Sequence, residues 1–482
     1  MKINFCFKIF SVFCFNIIKT INHDSLFKNE MIFTKVLEIY QKEHICLYCL
    51  GRLFSLLGTD TTNKRRGDAL LLSLTMENHS EYLSGINEER INAIENLKIL
   101  AECARYNSAQ EVLKKEGIGF DIENEDVKCY LCKDIYSNLE MYVEKAKKKI
   151  EGFEFDTFLV GCSPSSSIVN REDRFKSMLN IIEAESFKSH FNREVGKLLS
   201  EEFDKPAEFT YPDITFIFSI GEEEFEINLL IRSIFIFGRY KKLIRGIPQT
   251  HWICYNCNGK GCNECDHTGK RYETSVEELI NPKFIEASNA TESKFHGAGR
   301  EDIDVKMLGD GRPFVLELIE PNIRTLNLSR LKQSVNEINK DKIEISDLRY
   351  STKKEVISMK EKAENTKKEY FALVRSEIGI TIEDFQIKLQ KLKDLLEEEK
   401  IDQRTPTRVS HRRADKIRNK RIYNISGKYR NQTEFEFKIE TQGGTYIKEL
   451  ISGDNGRTSP SFSEIIGLPL KCESLDVLNI DY

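Results

Sequence analysis

Eight of the 13 cysteines lie in four Cys-x-x-Cys pairs, and their type and spacing indicate metal chemistry. Two pairs, Cys254/Cys257 and Cys262/Cys265, share one short glycine-containing segment. Four thiolates on two tight turns suit tetrahedral Zn²⁺, and four protein ligands leave no open position for catalysis. We therefore predict a structural zinc site here; a redox pair or a chance spacing is the alternative.

The other two pairs, Cys46/Cys49 and Cys129/Cys132, are 80 residues apart. Each is a weak signal alone, but together they predict a second Cys₄ zinc site that joins the start of a domain to its far end. Similar knuckles occur in J-domain co-chaperones, whose His-Pro-Asp tripeptide this sequence lacks. Paired thiols outside a secreted disulfide framework indicate a reducing compartment, so we expect an intracellular protein of the nucleus and/or cytoplasm, or of an organelle.

A second chemical candidate is an acidic, glycine-rich segment. Asp302 and Asp304 stand between glycines 297, 299, 309 and 311, and a strand-like run follows at 313–318. An aspartate in a glycine-rich, arginine-flanked loop before a strand suits a catalytic carboxylate. A solvated turn explains the same residue types and is the simpler interpretation.

Basic residues are concentrated in two places. Residues 401–430 hold ten basic and two acidic side chains, although the whole chain has a net charge of −5. No glutamate interleaves with them, which favours phosphate contact over a solvated helix face. A shorter basic strip precedes the second cysteine segment. The candidate phosphate contacts are Arg408, Arg412 and Arg413 in the run, and Arg239, Lys241, Lys242 and Arg245 in the strip.

The elements that must position these residues follow from hydrophobic periodicity. An amphipathic helix opens at Met31, and the pattern stays mostly helical to about residue 150. Strands are predicted at 157–162, 213–220 and 225–237, and a long helix at about 173–199.

From about residue 275 the pattern is mixed α/β, with strands predicted at 313–318 and 434–439. Thr381 is a predicted N-cap for a helix whose apolar stripe runs from Ile382 to Leu396. The stripe spans only two heptads, which favours core packing over a coiled-coil partner site.

The whole chain sets broader limits. Its 482 residues allow two to four domains. With 31% charged and 40% hydrophobic residues it is neither a disordered chain nor a membrane bundle. Its 72 basic and 77 acidic residues exclude a uniformly basic, histone-like protein, but not local contacts with nucleic acid.

Residues 1–30 form an N-terminal extension of unknown role. The apolar run from Ile3 to Ile18 is short for a bilayer and contains Lys8. We expect a non-native extension or a poorly structured tail, and a mitochondrial presequence is the alternative.

Several segments, in this order, resemble the archaeal and eukaryotic tRNA pseudouridine synthases of the type called pseudouridine synthase ten. The resemblance runs from about residue 31 to the C-terminus. It rests on Cys46/Cys49, Phe237-Gly-Arg-Tyr-Lys-Lys-Leu-Ile-Arg-Gly-Ile-Pro-Gln-Thr, the Cys254–Cys265 knuckles, 295–318, Gln403-Arg-Thr-Pro-Thr-Arg-Val-Ser-His-Arg-Arg-Ala-Asp, Gly443-Gly-Thr-Tyr-Ile-Lys-Glu-Leu and Gly453-Asp-Asn-Gly-Arg-Thr-Ser-Pro.

This resemblance implies an α+β protein of two parts. Residues 31–275 would form a zinc-binding accessory domain with a THUMP-like RNA-binding region. Residues 276–482 would form a pseudouridine synthase catalytic domain with a mixed, largely antiparallel sheet. The implied activity is isomerisation of uridine 55, and as a second site uridine 54, in the T-loop of tRNA. It implies the tRNA T-arm as partner, no membrane and no organic cofactor; a monomer is our default.

The resemblance also implies roles for single residues. Gly299-Arg300-Glu301-Asp302 matches the turn that carries the required aspartate, which makes Asp302 the catalytic residue and Arg300 a substrate contact. Asp304 is the rival carboxylate, with a structural turn as its simpler role. Asp302 would either attack the sugar or take a proton from C2′, and the sequence leaves both open.

Three further residues match the family's base-binding machinery. Tyr370 would pack under the target base, although a core tyrosine is the alternative. Ile447 would pack against the base, and Lys448 would pair with Asp302 and keep that carboxylate ionised. Two other functions remain open: an RNA-binding protein that chaperones tRNA without catalysis, and a zinc scaffold for protein partners.

Overall fold

The computed structural model describes residues 32–122, 126–182, 184–362, 366–397 and 400–481, with the side chain of Arg412 excepted. The N-terminal extension lies outside the described residues. The chain divides into two compact units. The first unit contains the described residues up to Lys149 with Leu159–Ala207 and Phe216–Asn228, and the second unit contains the rest, including everything from Leu229 onward.

The first unit is mostly helical in its first part, as predicted. The helix expected at Met31 is present from Ile32, and its buried face includes Val36, Ile39 and Tyr40. The six helices of the described residues up to Ile150 are α1 (Ile32–Lys42), α2 (Leu47–Leu53), α3 (Asn63–Ser84), α4 (Glu88–Lys98), α5 (Asn107–Lys115) and α6 (Glu140–Ile150).

A three-stranded sheet follows in the order β1-β2-β3, with β1 at Phe158–Pro164, β2 at Ile214–Ile220 and β3 at Phe225–Ile231. Two helices, α7 (Ser166–Met178) and α8 (Phe187–Phe203), lie between β1 and β2 in the chain. The prediction of a single long helix at about 173–199 is therefore wrong. The chain leaves α7 at Leu179, and Ser186 starts α8 with a new N-cap that accepts from Ser189 N at 3.1 Å.

The second unit is built on a mixed sheet. Its ten described strands run in the order β12-β9-β10-β11-β8-β13-β6-β4-β7, with β5 paired to β6. The pairing of β13 with β6 is parallel, and the other pairings of these strands are antiparallel. This confirms the predicted largely antiparallel sheet. The strands are β4 (Ile234–Lys242), β5 (Glu292–Gly297), β6 (Lys306–Ile319), β7 (Ile343–Ser351), β8 (Lys367–Ser376), β9 (Lys400–Arg404), β10 (Ile417–Asn431), β11 (Glu434–Gln442), β12 (Thr458–Ser459) and β13 (Leu470–Ile480).

Helices pack on this sheet and bury one large cluster of apolar residues, and Val356 and Met359 belong to a second, smaller cluster. The predicted helix after Thr381 is present, and Thr381 accepts a hydrogen bond from Asp384 N at 3.2 Å. Its stripe packs inward, with Phe385 stacked 5.0 Å from Phe435, which agrees with core packing. The helices of this unit are α9 (Val276–Ser288), α10 (Leu328–Ile338), α11 (Lys353–Lys362), α12 (Ile382–Leu396), α13 (Ile447–Ser452) and α14 (Phe462–Ile466).

The predicted boundary after residue 275 does not coincide with a boundary between the compact units. The apolar run 225–237, predicted as one strand, is divided between β3 and β4, which belong to different sheets. Because β4 pairs with both β6 and β7, residues 229–275 belong to the second unit. Within the described part of the chain, no helix is long and apolar enough to cross a membrane.

Candidate active site

A cavity of about 520 Å³ opens in the second unit. Its main walls are the loop between β5 and β6, strand β8, the segment 408–413 after β9, the start of α13 and strand β13. Among the predicted site residues, those that line it are Arg300, Asp302, Tyr370, Arg408, Arg413, Ile447 and Lys448. The fold therefore brings together residues that lie more than 140 positions apart in the sequence.

Asp302 is partly exposed at this cavity and is held by a close cation. Its carboxylate lies 2.9 Å from Arg408 Nη1, and the other edge of that guanidinium donates to Glu449 through Nε at 2.6 Å. Burial alone would lower the pKa of Arg408, but the hydrogen bond to Glu449 and the charge of Asp302 raise it well above its ordinary value. Arg408 therefore stays charged beside Asp302.

Lys448 forms the ion pair with Asp302 that the resemblance implies, but Asp304 is its nearer partner. Its Nζ donates to both carboxylate oxygens of Asp304, at 2.6 and 2.8 Å, and lies 3.9 Å from Asp302. Burial would raise the pKa of Asp304, but the hydrogen bond and charge of Lys448 hold it below its ordinary value. Arg408, predicted as a phosphate contact, is the nearer partner of Asp302.

The backbone of the Asp302 loop is held by buried donors. Arg312 Nη1 donates to the carbonyl of Ala298 at 2.8 Å, and Gln249 Nε2 donates to Gly299 O at 2.9 Å. Lys242 Nζ donates to the carbonyl of Asp302 itself at 3.1 Å. Gly299 has a φ of +78°, a left-handed conformation that favours glycine, so the motif's second glycine shapes the loop.

Glu301 links these donors into one buried network. Its carboxylate accepts from Arg312 Nε at 2.8 Å and from the hydroxyl of Tyr240 at 2.9 Å. Burial and the charge of Glu301 raise the pKa of Tyr240 well above its ordinary value, so the hydroxyl remains a donor. Because each buried polar group has partners, the network can fix the loop rather than destabilise it.

Strand β8 contributes two residues to the cavity. Lys368 and Tyr370 are two positions apart and therefore point to the same face. Burial and the charge of Arg312 lower the pKa of Lys368 to about 7, and burial raises the pKa of Tyr370 to about 12. Tyr370 is a neutral ring against the cavity, and Lys368 is a buried amine that titrates near neutral pH.

The start of α13 is fixed by a glutamine from β9. Gln403 accepts from Tyr446 N at 2.7 Å and donates to Tyr446 O at 2.9 Å. These two hydrogen bonds to the backbone of Tyr446 set where the helix begins and place the buried side chain of Ile447 at the cavity. Arg413 donates to the hydroxyl of Tyr446 at 2.7 Å.

The second basic strip is not a free cationic surface. Lys242 has no exposed side-chain surface, so the structure does not present it to phosphate. Lys241 pairs with Glu344 at 3.3 Å, Arg245 pairs with Asp476 and donates to Asp304 O, and Arg239 donates to Gly311 O at 3.2 Å. The side chain of Arg412 lies outside the described residues.

Both predicted thiol clusters form. In each cluster the four sulfur atoms lie within 4.8 Å of one another, which fits a tetrahedral metal ion. In the first cluster Cys46 N donates to Cys129 Sγ at 3.3 Å. In the second, backbone amides of Cys262 and Gly269 donate to Cys265 Sγ; burial raises its pKa, but these bonds lower it to about 6. The donor set therefore suits a thiolate-binding metal.

The sequence analysis missed four residues that line the cavity around Asp302: Gln249, Glu301, Arg312 and Lys368. Glu301 and Arg312 stand inside the motif, but their type indicates surface charge and only the fold reveals that they are buried. Lys368 precedes Tyr370 by two positions, and the strand period alone would have placed it at the cavity.

Known proteins are similar in sequence to this chain over most of its length. A family model for "Pus10, C-terminal" matches residues 235–481, slightly more than half of the chain. A model for the archaeal "Pus10 THUMP domain" matches residues 142–219, which confirms the predicted THUMP-like region.

Individual relatives agree with the family models. "tRNA pseudouridine synthase Pus10" of Methanocaldococcus jannaschii is 42% identical over 448 residues, 92% of this chain and 93% of the relative. The protein of that name from Methanothrix thermoacetophila is 36% identical over 459 residues, 95% of this chain and 96% of the relative. A solved Cbf5-Nop10-Gar1 complex covers 42% of this chain and 45% of its own at 16% identity, with a TM-score of 0.25.

Proposed function

This chain belongs to the Pus10 family of tRNA pseudouridine synthases, and from that premise we propose that it isomerises uridine 55 in the T-loop of tRNA, with uridine 54 as a second target. Asp302 is the essential residue of this reaction. The T-arm is the part of tRNA that enters the cavity, and the chain acts as a monomer.

The observation that carries this proposal is the position of Asp302. Its carboxylate lies at the cavity that Tyr370 and Ile447 also line, beside a guanidinium at 2.9 Å. Asp304, two residues on, is paired with Lys448 and is not among the residues that line the cavity. The geometry therefore favours Asp302 over Asp304 as the reacting carboxylate.

The reaction must break and remake one bond to the sugar. Asp302 either attacks C1′ or removes a proton from C2′ as the N1–C1′ bond breaks, and the electron pair of that bond leaves with uracil. The freed base turns and rejoins C1′ through C5. In the first route this displaces the Asp302 carboxylate from C1′, and in the second Asp302 returns the proton to C2′. The C5 proton then leaves, and N1 gains a proton. Because the target must leave its stack first, the site has to hold an unbonded base.

The walls of the cavity support that task. The ring of Tyr370 and the side chain of Ile447 offer apolar surfaces on which a planar uracil can turn. Their burial keeps water away from the separated base and sugar. Arg408 also lines the cavity, and its guanidinium, 2.9 Å from the carboxylate, orients Asp302.

Contacts with RNA extend from the cavity. Arg300 and Arg413 line it and carry the charge that phosphates would meet, and the exposed Lys416, Arg421 and Lys428 add charge along the same run. The first unit, with its THUMP region, would serve as the accessory RNA-binding domain. This division assigns recognition of the tRNA body to one unit and chemistry to the other.

Zinc is the proposed occupant of both thiol clusters. Cys46, Cys49, Cys129 and Cys132 would hold one ion, and Cys254, Cys257, Cys262 and Cys265 the other. Each ion would stabilise the fold locally, because all four of its positions are filled by protein sulfur.

Tritium release from uracil C5 tests the function. The purified protein is incubated with a tRNA transcript labelled at C5 of uracil, beside Asp302→Ala and Asp304→Ala. We expect release by the wild type and by Asp304→Ala, and a loss of at least about 10³-fold in a folded Asp302→Ala. Transcripts with cytidine at position 54 or 55 identify the target.

A folded wild type that binds tRNA tightly and releases no tritium would overturn the proposal. It would favour the RNA-binding protein without catalysis. Release by Asp302→Ala but not by Asp304→Ala would instead exchange the roles of the two carboxylates.

A further inference from the structure

Aromatic rings and guanidinium groups gather beside the second thiol cluster. Trp252 and Tyr272 meet edge to face with their centroids 5.7 Å apart. The guanidinium of Arg271 lies over Trp252, Tyr255 and Tyr272 at 5.0 to 5.7 Å from the ring centroids. We call Trp252, Tyr255, Arg271 and Tyr272 the aromatic platform.

The thiol cluster holds this platform in shape. Cys254 N donates to Gly269 O at 2.8 Å, and Arg271 N donates to Trp252 O at 2.9 Å. These bonds, with the antiparallel bridge between Ile253 and Lys270, pair the two chain segments that flank the cysteines. Trp252 therefore stands beside Arg271 because the backbone pairs at the base of the loop that carries the four cysteines.

The platform is continuous with the candidate active site. Arg300 lines the cavity, two residues before Asp302, and its guanidinium lies 5.5 Å from the centroid of the Trp252 ring. One arginine thus touches both the cavity and the platform. A nucleotide strand that delivers its target to Asp302 would have neighbouring nucleotides near Trp252.

The surface chemistry of the platform suits unstacked bases. Tyr255 has 67% of its surface exposed, and Arg271 is exposed as well. Trp252 and Tyr272 are half-buried. Aromatic rings and guanidinium planes are the groups on which single-stranded bases stack, and the positive charge meets the phosphates between them.

We propose that the aromatic platform binds, by stacking, one or two unpaired bases that flank the target uridine; this rests on the proposed function. A flipped nucleotide leaves its neighbours without a stacking partner. The rings of Trp252 and Tyr255 then stack on those neighbouring bases in place of the flipped base. The second thiol cluster is then part of substrate recognition, because it positions these rings.

The chain has a single tryptophan, so its fluorescence reports on the platform alone. The metal-loaded protein is titrated with an unmodified tRNA transcript, and separately with a fully paired RNA duplex of the same length. We expect saturable quenching by tRNA and much less by the duplex, which offers phosphates but no unpaired base. Equal quenching by both RNAs would overturn stacking.

Kinetics supply an independent test. Trp252→Ala and Tyr255→Ala should each raise KM for tRNA about fivefold to a hundredfold, the cost of one lost stack, with kcat within about twofold. Trp252→Phe keeps a flat ring and should stay near the wild type. Ile387→Ala removes another exposed apolar side chain of the second unit, outside the platform and the cavity, and should change nothing.

The outcomes separate the two proposals. Tritium release by the wild type with unchanged KM in Tyr255→Ala and Trp252→Ala overturns the platform and leaves the function standing. Quenching specific to unpaired RNA without tritium release supports the platform and overturns the function. If Trp252→Ala loses its metal or its fold, Tyr255→Ala decides, since its side chain is mostly exposed.

Discussion

At the scale of single residues, Asp302 depends on a shared arginine. Arg408 bridges Asp302 and the buried Glu449, so one cation satisfies two carboxylates. Glu449 holds the Nε edge of the guanidinium, and Nη1 of the same group reaches Asp302. Lys448 lies further from Asp302 than Arg408 does and donates its hydrogen bonds to Asp304.

Arg408→Met should lower kcat by about 10²- to 10³-fold, because Asp302 loses its only donor within 3 Å among the described contacts. The double variant Arg408→Met/Glu449→Gln avoids a buried unpaired carboxylate and should recover stability but not activity. Arg430→Met breaks a comparable ion pair with Glu436 and should remain active. Tritium release measures the activity of each variant, and thermal unfolding measures its stability.

Lys448→Met should cost less activity than Arg408→Met, since Lys448 Nζ is 3.9 Å from Asp302. The measurement is the ratio of the two kcat values in tritium release, with Asp304→Asn as the matched change on the other side of the ion pair. A larger loss for Lys448→Met would return it to the role of the close partner of Asp302.

The lowered pKa of Lys368 predicts that the free energy of unfolding depends on pH. Its pKa is about 7 in the folded chain and near 10.4 unfolded, so the unfolded state binds the extra proton between these values. Lys368→Met should therefore be more stable than the wild type at pH 7, and this advantage should shrink by roughly 2–3 kcal/mol by pH 9.

Urea unfolding at several pH values tests this linkage, with Lys367→Met as the control. Lys367 is the adjacent residue on the exposed face of β8, so its loss should give no such trend. A stability difference for Lys368→Met that stays constant from pH 7 to pH 9 would contradict the lowered pKa.

These residues also mark how far sequence reasoning reaches. The resemblance implied roles for Asp302 and Tyr370, because each lies within one continuous segment, 295–318 for Asp302 and 368–374 for Tyr370. The partner of Asp302 could not be predicted, since Arg408 and Lys448 are both cations from distant segments. Which one reaches the carboxylate depends on where α13 begins, and the bonds from Gln403 decide that.

At the scale of elements, two helices of the first unit meet through glycine. A Cβ on Gly51 in α2 would lie 1.7 Å from Asn63 O, and a Cβ on Gly67 in α3 would lie 2.2 Å from Leu47 O. The backbones of α2 and α3 therefore approach more closely than any side chain would permit. This contact also fixes the helix that follows Cys46, and with it half of the first thiol cluster.

Gly51→Ala should destabilise the first unit by about 3 kcal/mol or more, because a backbone atom blocks the added methyl group and the helices must separate. Gly119→Ala is the matched control in the same unit, since a Cβ there would meet no atom within 4 Å. Urea unfolding followed by circular dichroism measures both. Equal stability of the two variants would contradict the close approach.

Elements with strong local signals were predicted well, whereas those set by tertiary contacts were not. The capped helix α12 carries both its N-cap and its stripe in its own sequence. The apolar run 225–237 gives no sign that its halves join different sheets, because either half alternates like a strand. Pairing partners such as β6 and β7 decide that division.

At the scale of the whole molecule, each compact unit contains one thiol cluster of a different kind. The first joins cysteines 83 residues apart, and the second joins cysteines 8 residues apart. A short segment can gather four thiolates even in an unfolded chain, whereas the split cluster requires the folded unit. Metal that also binds the unfolded state stabilises less.

Cys129→Ser should therefore reduce stability more than Cys262→Ser, although each variant should lose one of two zinc ions per chain. Metal analysis gives the stoichiometry, and urea unfolding with and without a chelator gives the stability. Cys162→Ser and Cys472→Ser, which replace non-cluster cysteines in the first and second units, control for the loss of a sulfur atom. If Cys262→Ser proved the more damaging variant, the local knuckle rather than the split cluster would be the main metal-dependent support of the fold.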